Sequence, residues 1–301
     1  MNYRHHFHAG NFADVVKHTL LLALLRSLRQ KDSSFCYIDT HAGIGLYDLG
    51  ASEAQRTLEF KTGIGRLKVA DPATLPDWVG HYQQAITALQ TERKGFWYPG
   101  SPWLALHSMR PQDRAVLMEL HAEDAGLLRQ HLSRYNSLAI HERDAYEGLP
   151  AMVPPKEKRG LVLIDPPYEE ERGDYAQVVE LLKKTYQKWP TGIYALWFPI
   201  KDRLDITRFY RRLRETQIPK MLTTELCIFP ADNQLGLNGT GMVIVNPPWQ
   251  FDETASAVLK WLTPVLSEHP QASYKVEWLA REAAAGEKKA EKKAKMDKFA
   301  E

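Results

Sequence analysis

The sequence has little cysteine, almost no net charge and no long apolar run. Its 301 residues include only two cysteines, Cys36 and Cys227, which lie in apolar stretches without CxxC spacing. This pattern favours buried thiols in a reducing compartment over a disulfide. Lys and Arg number 39 against 37 Asp and Glu, which leaves +2. The overall charge therefore does not predict a polyanionic partner, although local clusters still can.

The amino-terminal region also lacks the features of a signal peptide. Its apolar run at residues 20–25 is short and is followed by Arg26 and Arg29. We therefore expect a cytoplasmic protein with no membrane association. Hydrophobic residues make up 44% and aromatic residues 10% of the chain, which is enough for a substantial globular core.

The most informative stretch is the apolar run Gly160–Ile164, which stops at Asp165-Pro166-Pro167-Tyr168. Two prolines cannot donate to a sheet ladder, so a strand must end here, at the edge where open α/β sheets bind ligands. The Asp165 side chain and the Pro166 carbonyl could accept both hydrogens of an exocyclic amine such as adenine N6. Tyr168 could stack on the unstacked base. The alternative is a plain turn with Asp165 as a cap.

The amino-terminal part of the chain predicts one helix. Three histidines within residues 5–8 have no paired carboxylate or cysteine cluster beside them, so no metal site is expected. Asn11 suits the N-cap of a helix that runs to about Gln30. His18 falls on the apolar stripe of this helix, and spacing alone favours a core histidine. On the same grounds Lys17 is predicted to be a solvated charge.

A strand at residues 34–38 precedes Asp39-Thr40-His41-Ala42-Gly43-Ile44-Gly45. An acidic residue followed by alternate glycines permits close approach to a nucleotide-type ligand, although an ordinary turn looks similar. The next strand, 114–118, ends at Glu119 and lies too far along the chain for a single-helix crossover. We therefore predict a helical insertion at about residues 52–95, with helices at 53–69 and 76–94.

Two further polar residues, Ser101 and Asp144, are predicted to lie where a helix begins. Ser101 suits an N-cap with Pro102 behind it, and a helix starting beside the cleft would also make it useful there. Asp144 could accept a hydrogen bond from the adenine amino group of a cofactor, or it could cap the helix that begins near Tyr146.

The remaining pattern alternates strands with helices. This predicts a doubly wound α/β sheet, mostly parallel with its last strand antiparallel. The further strands are expected at residues 137–141, 192–198 (stopped by Pro199), 222–229 and 241–245, and the helices at 121–133 and 175–188.

A second motif of the same form, Asn246-Pro247-Pro248-Trp249, could also hold an amine. If the last two strands form a hairpin, however, Asn246 lies at the opposite edge of the sheet, so we favour Asp165. Residues 201–220 carry seven basic and three acidic side chains. Three of the basic ones, Arg208, Arg211 and Arg212, share a helix face that could bind phosphates or simply be solvated. Residues 281–301 are predicted to be a frayed helix or a disordered tail.

Several motifs in combination resemble the RlmJ (formerly YhiR) family of class I methyltransferases, which depend on S-adenosylmethionine (SAM). The matching motifs are Tyr3-Arg-His-x-Phe-His-Ala-Gly-Asn11, Ala13-Asp-Val-x-Lys17-His18, Asp39-Thr-His-Ala-Gly43, Tyr98-Pro-Gly-Ser-Pro102, Ile164-Asp-Pro-Pro-Tyr168 and Thr191-Gly-Ile-Tyr-Ala-Leu-Trp197. The resemblance implies a Rossmann-like fold with a small helical insertion, in a single domain at residues 1–280. It also implies SAM as cofactor and methylation of adenine N6 in 23S ribosomal RNA. No obligate protein partner is evident.

The resemblance also implies roles for individual residues. Asp165 would be the catalytic acceptor. Target adenosine would be held by Tyr3, His5, Lys17, Pro166 and Tyr168. SAM would be contacted by His18, His41, Ser101, Glu119, Asp144, Ala145 and Asp165, with alanine at 145 where the family has glycine. The alternatives are an N6-adenine DNA methyltransferase, which would use the same amine chemistry, and a non-catalytic RNA-binding ribosome-assembly factor.

Overall fold

The computed structural model describes residues 5–68, 75–169, 171–230, 233 and 236–281. The candidate Tyr3, residues 69–74 between the two predicted insertion helices, and the tail at 282–301 lie outside the described residues. After a 3-10 turn at His5–Phe7, the helices are α1 (Phe12–Arg29), α2 (Ser52–Thr57), α3 (Glu59–Thr62), α4 (Ile64–Lys68), α5 (Asp77–Glu92), α6 (Ser101–Ser108), α7 (Ala122–His131), α8 (Ala145–Met152), α9 (Glu171–Lys188), α10 (Arg203–Glu215) and α11 (Phe251–Leu266). The strands are β1 (Cys36–Asp39), β2 (Leu46–Asp48), β3 (Trp97–Pro99), β4 (Arg114–Glu119), β5 (Leu138–Glu142), β6 (Gly160–Ile164), β7 (Ile193–Ile200), β8 (Met221–Cys227), β9 (Gly239–Val245) and β10 (Ser273–Ala280).

Within these ranges the main sheet has the strand order β10-β8-β9-β7-β6-β1-β4-β5. The five strands from β7 to β5 are parallel, and β1 lies at their centre with Ile38 opposite Val116 and Val162. Strand β9 runs antiparallel to both β7 and β8. The predicted Rossmann-like α/β sheet with an antiparallel β9 is therefore confirmed. The sequence reading missed α11 and the edge strand β10, which pairs antiparallel with β8.

Helices cover both faces of the sheet, which explains why its central strands are apolar throughout. One core contains the leucines of α1 together with buried residues of α6 and α11. The other core lies beneath α8, α9 and α10. Helix α1 begins as predicted, because the Asn11 side chain accepts a hydrogen bond from the Asp14 backbone N–H at 3.0 Å.

The predicted insertion helix at 53–69 is wrong in detail, because the chain forms three short helices, α2 to α4. Leu58, between α2 and α3, has a left-handed backbone with φ of 56°. Gly63, between α3 and α4, approaches the amino-terminal segment so closely that a Cβ there would lie 2.1 Å from the Gly10 carbonyl oxygen. The second predicted helix corresponds to α5. The small antiparallel pair β2–β3, which flanks these helices, was not predicted.

The prediction that Pro199 stops its strand is also wrong, since β7 continues to Ile200. Pairing between β7 and β6 ends at Leu196, whereas pairing with β9 continues through Ile200. Beyond Leu196 the strand has no neighbour on the β6 side, and proline is tolerated where a strand becomes an edge.

Across the ranges that the structure describes, none of the helices combines the length and the apolar character that a membrane crossing needs.

Candidate active site

A cleft of about 760 Å³ opens at the carboxyl ends of the central parallel strands. Its size is within the range of small-molecule and cofactor sites. The structure brings together every predicted site residue that it describes, from segments far apart in the chain. The cleft is lined by His5, Lys17, His18, His41, Ser101, Glu119, Asp144, Ala145, Asp165, Pro166 and Tyr168.

The loop after β1 forms one wall of this cleft. Gly43 has φ of 58°, and a Cβ on it would lie 2.4 Å from the Tyr47 hydroxyl, so the loop requires glycine here. The Gly43 backbone N–H donates to Oε2 of Glu119 at 2.9 Å, which ties the ends of β1 and β4 together. His41 lies in the same loop, and its Nδ1 shares a 2.7 Å hydrogen bond with the Thr40 hydroxyl. Burial lowers the pKa of His41 to about 4.

Asp39, at the end of β1, lies fully buried beneath the cleft. Its Oδ2 accepts hydrogen bonds from the Tyr37 hydroxyl at 2.7 Å and from the Ser101 hydroxyl at 2.8 Å. Burial raises the pKa of Asp39 to about 6. Ser101 is the first residue of α6, and Gly100 occupies the cap position without a side-chain hydrogen bond. The expectation that Ser101 is an N-cap is therefore wrong, because its hydroxyl is directed to Asp39.

Two acidic residues line the cleft beyond β4 and β5. Glu119 accepts backbone N–H groups from Gly43 and His121, each at 2.9 Å, and burial raises its pKa. A carboxylate offers about four lone-pair positions, so acceptor capacity for ligand hydroxyls remains. Asp144 is the N-cap of α8 and accepts the Tyr146 N–H at 2.7 Å. Its capping role is confirmed, and it lies in the cleft wall as well. Ala145, the first residue of α8, is buried behind it.

His18 is a buried residue with one unsatisfied nitrogen. Its Nδ1 shares a 2.8 Å hydrogen bond with the Tyr98 hydroxyl, which in turn bonds the Tyr82 hydroxyl at 2.7 Å. Its Nε2 has no hydrogen-bond partner among the described residues. Burial lowers the pKa of His18 to about 3, so the ring is neutral. Because buried polar atoms are normally paired, Nε2 is a position that a bound ligand can satisfy.

Lys17 forms the link between the amino-terminal segment and the Asp-Pro-Pro-Tyr motif. Its Nζ lies 2.6 Å from Oδ2 of Asp165 and 2.9 Å from Oδ1 of Asp14. The side chain is only 6% exposed, so the expectation of a solvated charge is wrong. Burial opposes the charged form, but the two carboxylates hold the pKa of Lys17 well above its usual value. His5 reaches the same cluster through a 2.9 Å contact between its Nε2 and Oδ2 of Asp14.

Tyr168 is held firmly beside Asp165. Its hydroxyl donates to the Trp197 carbonyl oxygen at 2.7 Å, and its ring packs against Tyr175 with centroids 4.9 Å apart. The Trp197 ring approaches it edge-on at 5.7 Å. The loop after β6 therefore presents Asp165 and an aromatic wall with little freedom to move.

The second motif, at Asn246, lies away from this cleft. Its Nδ2 donates to the carbonyl oxygens of Pro190 and Gly192, both at 2.8 Å, just before β7 begins. Since β9 is antiparallel, its carboxyl end meets the amino end of β7, as the hairpin argument predicts. Trp249, the aromatic residue of this motif, is 90% exposed. Asn246 thus serves as a structural connection between two strands.

Some residues of the cleft were missed by sequence reasoning. Asp14 was not among the predicted site residues, although its spacing from Lys17 is that of an i,i+3 ion pair. That spacing was an available signal. Others, among them Trp197, have no local signal, because they come from helices, strands and loops that only the folded chain brings together. They include Tyr47, Glu59, Arg143, Tyr146 and Lys201.

The residues present fit SAM as a ligand. The cleft offers an unsatisfied histidine nitrogen for a polar group, free carboxylate lone pairs for hydroxyls and a glycine loop that admits close backbone approach. The sheet order and these features at its carboxyl edge define a Rossmann-like class I methyltransferase, the class that uses SAM as methyl donor.

The family follows from similarity to known proteins. A family model described as "Ribosomal RNA large subunit methyltransferase D, RlmJ" matches residues 32–280, and the chain belongs to this family. Two relatives bear the description "Ribosomal RNA large subunit methyltransferase J". The Haemophilus influenzae protein is 40% identical over 283 residues, covering 94% of this chain and 100% of the relative. The Escherichia coli protein is 39% identical over 282 residues, with the same coverage.

A solved structure is similar as well. The crystal structure of a Legionella pneumophila protein superimposes with a TM-score of 0.81 at 35% sequence identity. The match covers 90% of this chain and 98% of the Legionella chain, so the similarity includes nearly the whole fold.

Proposed function

We propose that this protein transfers a methyl group from SAM to N6 of an adenine in 23S ribosomal RNA, and that it acts in the cytoplasm. The observation that carries the proposal is the position of Asp165-Pro166-Pro167-Tyr168, which follows β6 directly and lines the same cleft as Glu119 at the end of β4 and Asp144 after β5. The names of the Haemophilus and Escherichia relatives support a large-subunit RNA substrate.

The cofactor side of the cleft is formed by the ends of β1, β4 and β5. Glu119 has lone pairs for ribose hydroxyls, and Asp144 has a second oxygen for an amino group. Nε2 of His18 is suited to a polar group of the amino-acid moiety. We assign SAM contacts to His18, His41, Ser101, Glu119, Asp144, Ala145 and Asp165.

The substrate side localises the lone pair of the target amine. Adenine N6 is a poor nucleophile because its lone pair is delocalised into the ring. Asp165 and the Pro166 carbonyl would accept its two hydrogens, while Tyr168 supports the base that has left its stack. When bound, SAM supplies an electrophilic methyl group on a sulfonium. Catalysis then rests mainly on positioning, which can contribute several kcal/mol when reacting atoms are held about 3 Å apart.

Proton transfer comes late in this scheme. N6 becomes strongly acidic only while it carries positive charge, so Asp165 need not be a strong base beforehand. Lys17 contacts Asp165 directly, and His5 is linked to it through Asp14 and Lys17. We assign Lys17 and His5, with Tyr3, to holding the target adenosine.

RNA flanking the target would lie along α10. This helix begins two residues after Lys201, which lines the cleft, and it is anchored by buried Ile206, Phe209 and Leu213. Its outer face exposes Arg208 and Arg212, which suits phosphate contacts. We further propose that residues 1–280 act as one methyltransferase domain, with the helices at about 52–95 as an insertion and residues 281–301 as a separate tail.

The proposed function is tested by methyl transfer from tritium-labelled SAM. Purified protein is incubated with 23S rRNA lacking its native modifications and, in parallel, with duplex DNA, and the labelled nucleoside is identified after digestion. We expect N6-methyladenosine from rRNA only. Label in DNA would favour the DNA methyltransferase. If the protein neither binds SAM nor transfers the methyl group, the result would favour a non-catalytic RNA-binding factor.

A further inference from the structure

Asp14 is a buried charge that the proposed catalytic set does not include. The residue is 1% exposed, yet its carboxylate makes three close polar contacts, and its Oδ1 also lies 4.0 Å from Nε2 of His18. Oδ1 lies 2.9 Å from Nζ of Lys17, and Oδ2 lies 2.9 Å both from the Gly10 backbone nitrogen and from Nε2 of His5. Asp14 thus touches two residues assigned to the substrate side and has no exposed surface of its own.

Helix capping accounts for only one contact of this carboxylate, the Gly10 N–H that Oδ2 accepts at the start of α1. The α1 N-cap is Asn11, whose side chain accepts the Asp14 N–H. Burial opposes ionisation of Asp14, but His5 and Lys17 hold its pKa well below the usual range, so it is charged at neutral pH. A buried charge of this kind is costly unless it is fully paired. The ion pair with Lys17 is therefore needed to offset the cost of burying the Asp14 carboxylate in this site.

Lys17 is shared between two carboxylates. Without Asp14, the Lys17 ammonium would pair with Asp165 alone. In the proposed mechanism Asp165 is also the carboxylate that must accept a hydrogen bond from the target amine. An ammonium that is shared with Asp14 leaves Asp165 with more acceptor strength for the target amine. The position and charge of such neighbouring groups commonly determine how strongly a hydrogen-bond acceptor stabilises a transition state.

We propose that Asp14 is a positioning residue for methyl transfer, which acts by holding the Lys17 ammonium between itself and Asp165. The inference rests on the proposed function and adds to it a residue that need not touch cofactor or base. It predicts that loss of the Asp14 charge lowers kcat more than it changes substrate KM or SAM affinity.

The test variant is Asp14→Asn, which keeps the size of the side chain and an acceptor for the Gly10 N–H. We expect kcat to fall about 10- to 100-fold, with the Kd for SAM unchanged within about twofold. The matched control is Asp113→Asn. Asp113 is also 1% exposed and is paired with Arg110 at 3.0 Å, but it precedes β4 at the amino-terminal edge of the sheet. This control should lose stability and retain kcat.

A double-mutant cycle separates positioning from a purely structural effect. If Asp14 acts through Lys17, Asp14→Asn should change kcat by less than about twofold in a Lys17→Gln background. A further tenfold loss of kcat on adding Asp14→Asn to Lys17→Gln would overturn the inference. The comparison of Lys17→Gln with the double variant also tests the inference if Asp14→Asn alone is unstable. A wild-type kcat in Asp14→Asn would overturn this inference but leave the proposed function standing. An inactive wild-type protein would overturn the proposed function as well.

Discussion

Lys17 and Asp165, 148 residues apart in the chain, form an ion pair with 2.6 Å between Nζ and Oδ2. The pair joins the second turn of α1 to the loop after β6. In the mechanism that we propose, Asp165 therefore meets the target amine as a carboxylate that an ammonium already engages, and the amine must share it.

Replacing Asp165 tests the chemistry directly. Asp165→Ala removes an acceptor of the amine, so we expect methyl transfer to fall by about 100-fold or more. SAM binding should persist, because six of the seven residues assigned to SAM, among them Glu119, Asp144 and His18, remain in place. Single-turnover methylation and calorimetric SAM binding measure the two effects separately. Undiminished transfer in this variant would contradict the mechanism.

Asn246→Ala is the matched variant at the second motif. It should be active, since Asn246 lies at the opposite edge of the sheet. Its two hydrogen bonds to the Pro190 and Gly192 carbonyls are lost, so the free energy of unfolding should fall by about 1–2 kcal/mol. Urea denaturation and the methylation assay measure these effects. A folded but inactive variant would restore Asn246 as a catalytic candidate.

The basic face of α10 is tested by charge reversal. Arg208→Glu together with Arg212→Glu should raise KM for rRNA about tenfold at physiological salt and leave kcat nearly unchanged, because phosphate contacts affect binding. The control reverses two exposed charges, Arg29 and Lys31, at the far end of α1. Equal KM values in the two double variants would show that α10 is only a solvated face.

Acid pH should destabilise the fold through His18. Its folded pKa of about 3 lies below the unfolded value of about 6.5, so between these values the unfolded state binds the extra proton. The stability contributed by neutral His18 is complete above pH 6.5 and is lost as pH falls. Between pH 6.5 and 5 the loss is about 2 kcal/mol.

His18→Asn should remove that part of the pH dependence. Asn keeps a polar atom near the position of Nδ1 for the Tyr98 hydroxyl. Urea unfolding at pH 7 and pH 5 gives the difference between wild type and variant, and the exposed His81→Asn is the matched control. A variant with the wild-type pH dependence would show that His18 is not the titrating group. Asp39, whose burial raises its pKa to about 6, acts in the opposite direction and affects wild type and variant alike.

The sheet was predictable to a large degree because its signals are local. The buried run Gly160–Ile164 has the bounds of β6. Asn11 caps α1 as its residue type predicts, and the helix ends near Gln30 as expected. Where a tertiary contact overrides local preference, the prediction failed. The insertion helix is broken where Gly63 contacts the Gly10 backbone, and β7 passes through Pro199 because its neighbour β6 has already ended.

By itself, the sequence determined the alternation of strands and helices, the glycine loop after β1 and the Asp-Pro-Pro-Tyr turn after β6, because each depends on residues adjacent in the chain. It also placed Asn246 at the wrong edge for catalysis, since strand direction follows from the hairpin. Only the tertiary structure decided that Lys17 is buried and paired with Asp14 and Asp165, and that the Ser101 hydroxyl bonds Asp39. A charged or polar side chain is solvated or buried according to what the rest of the fold brings against it.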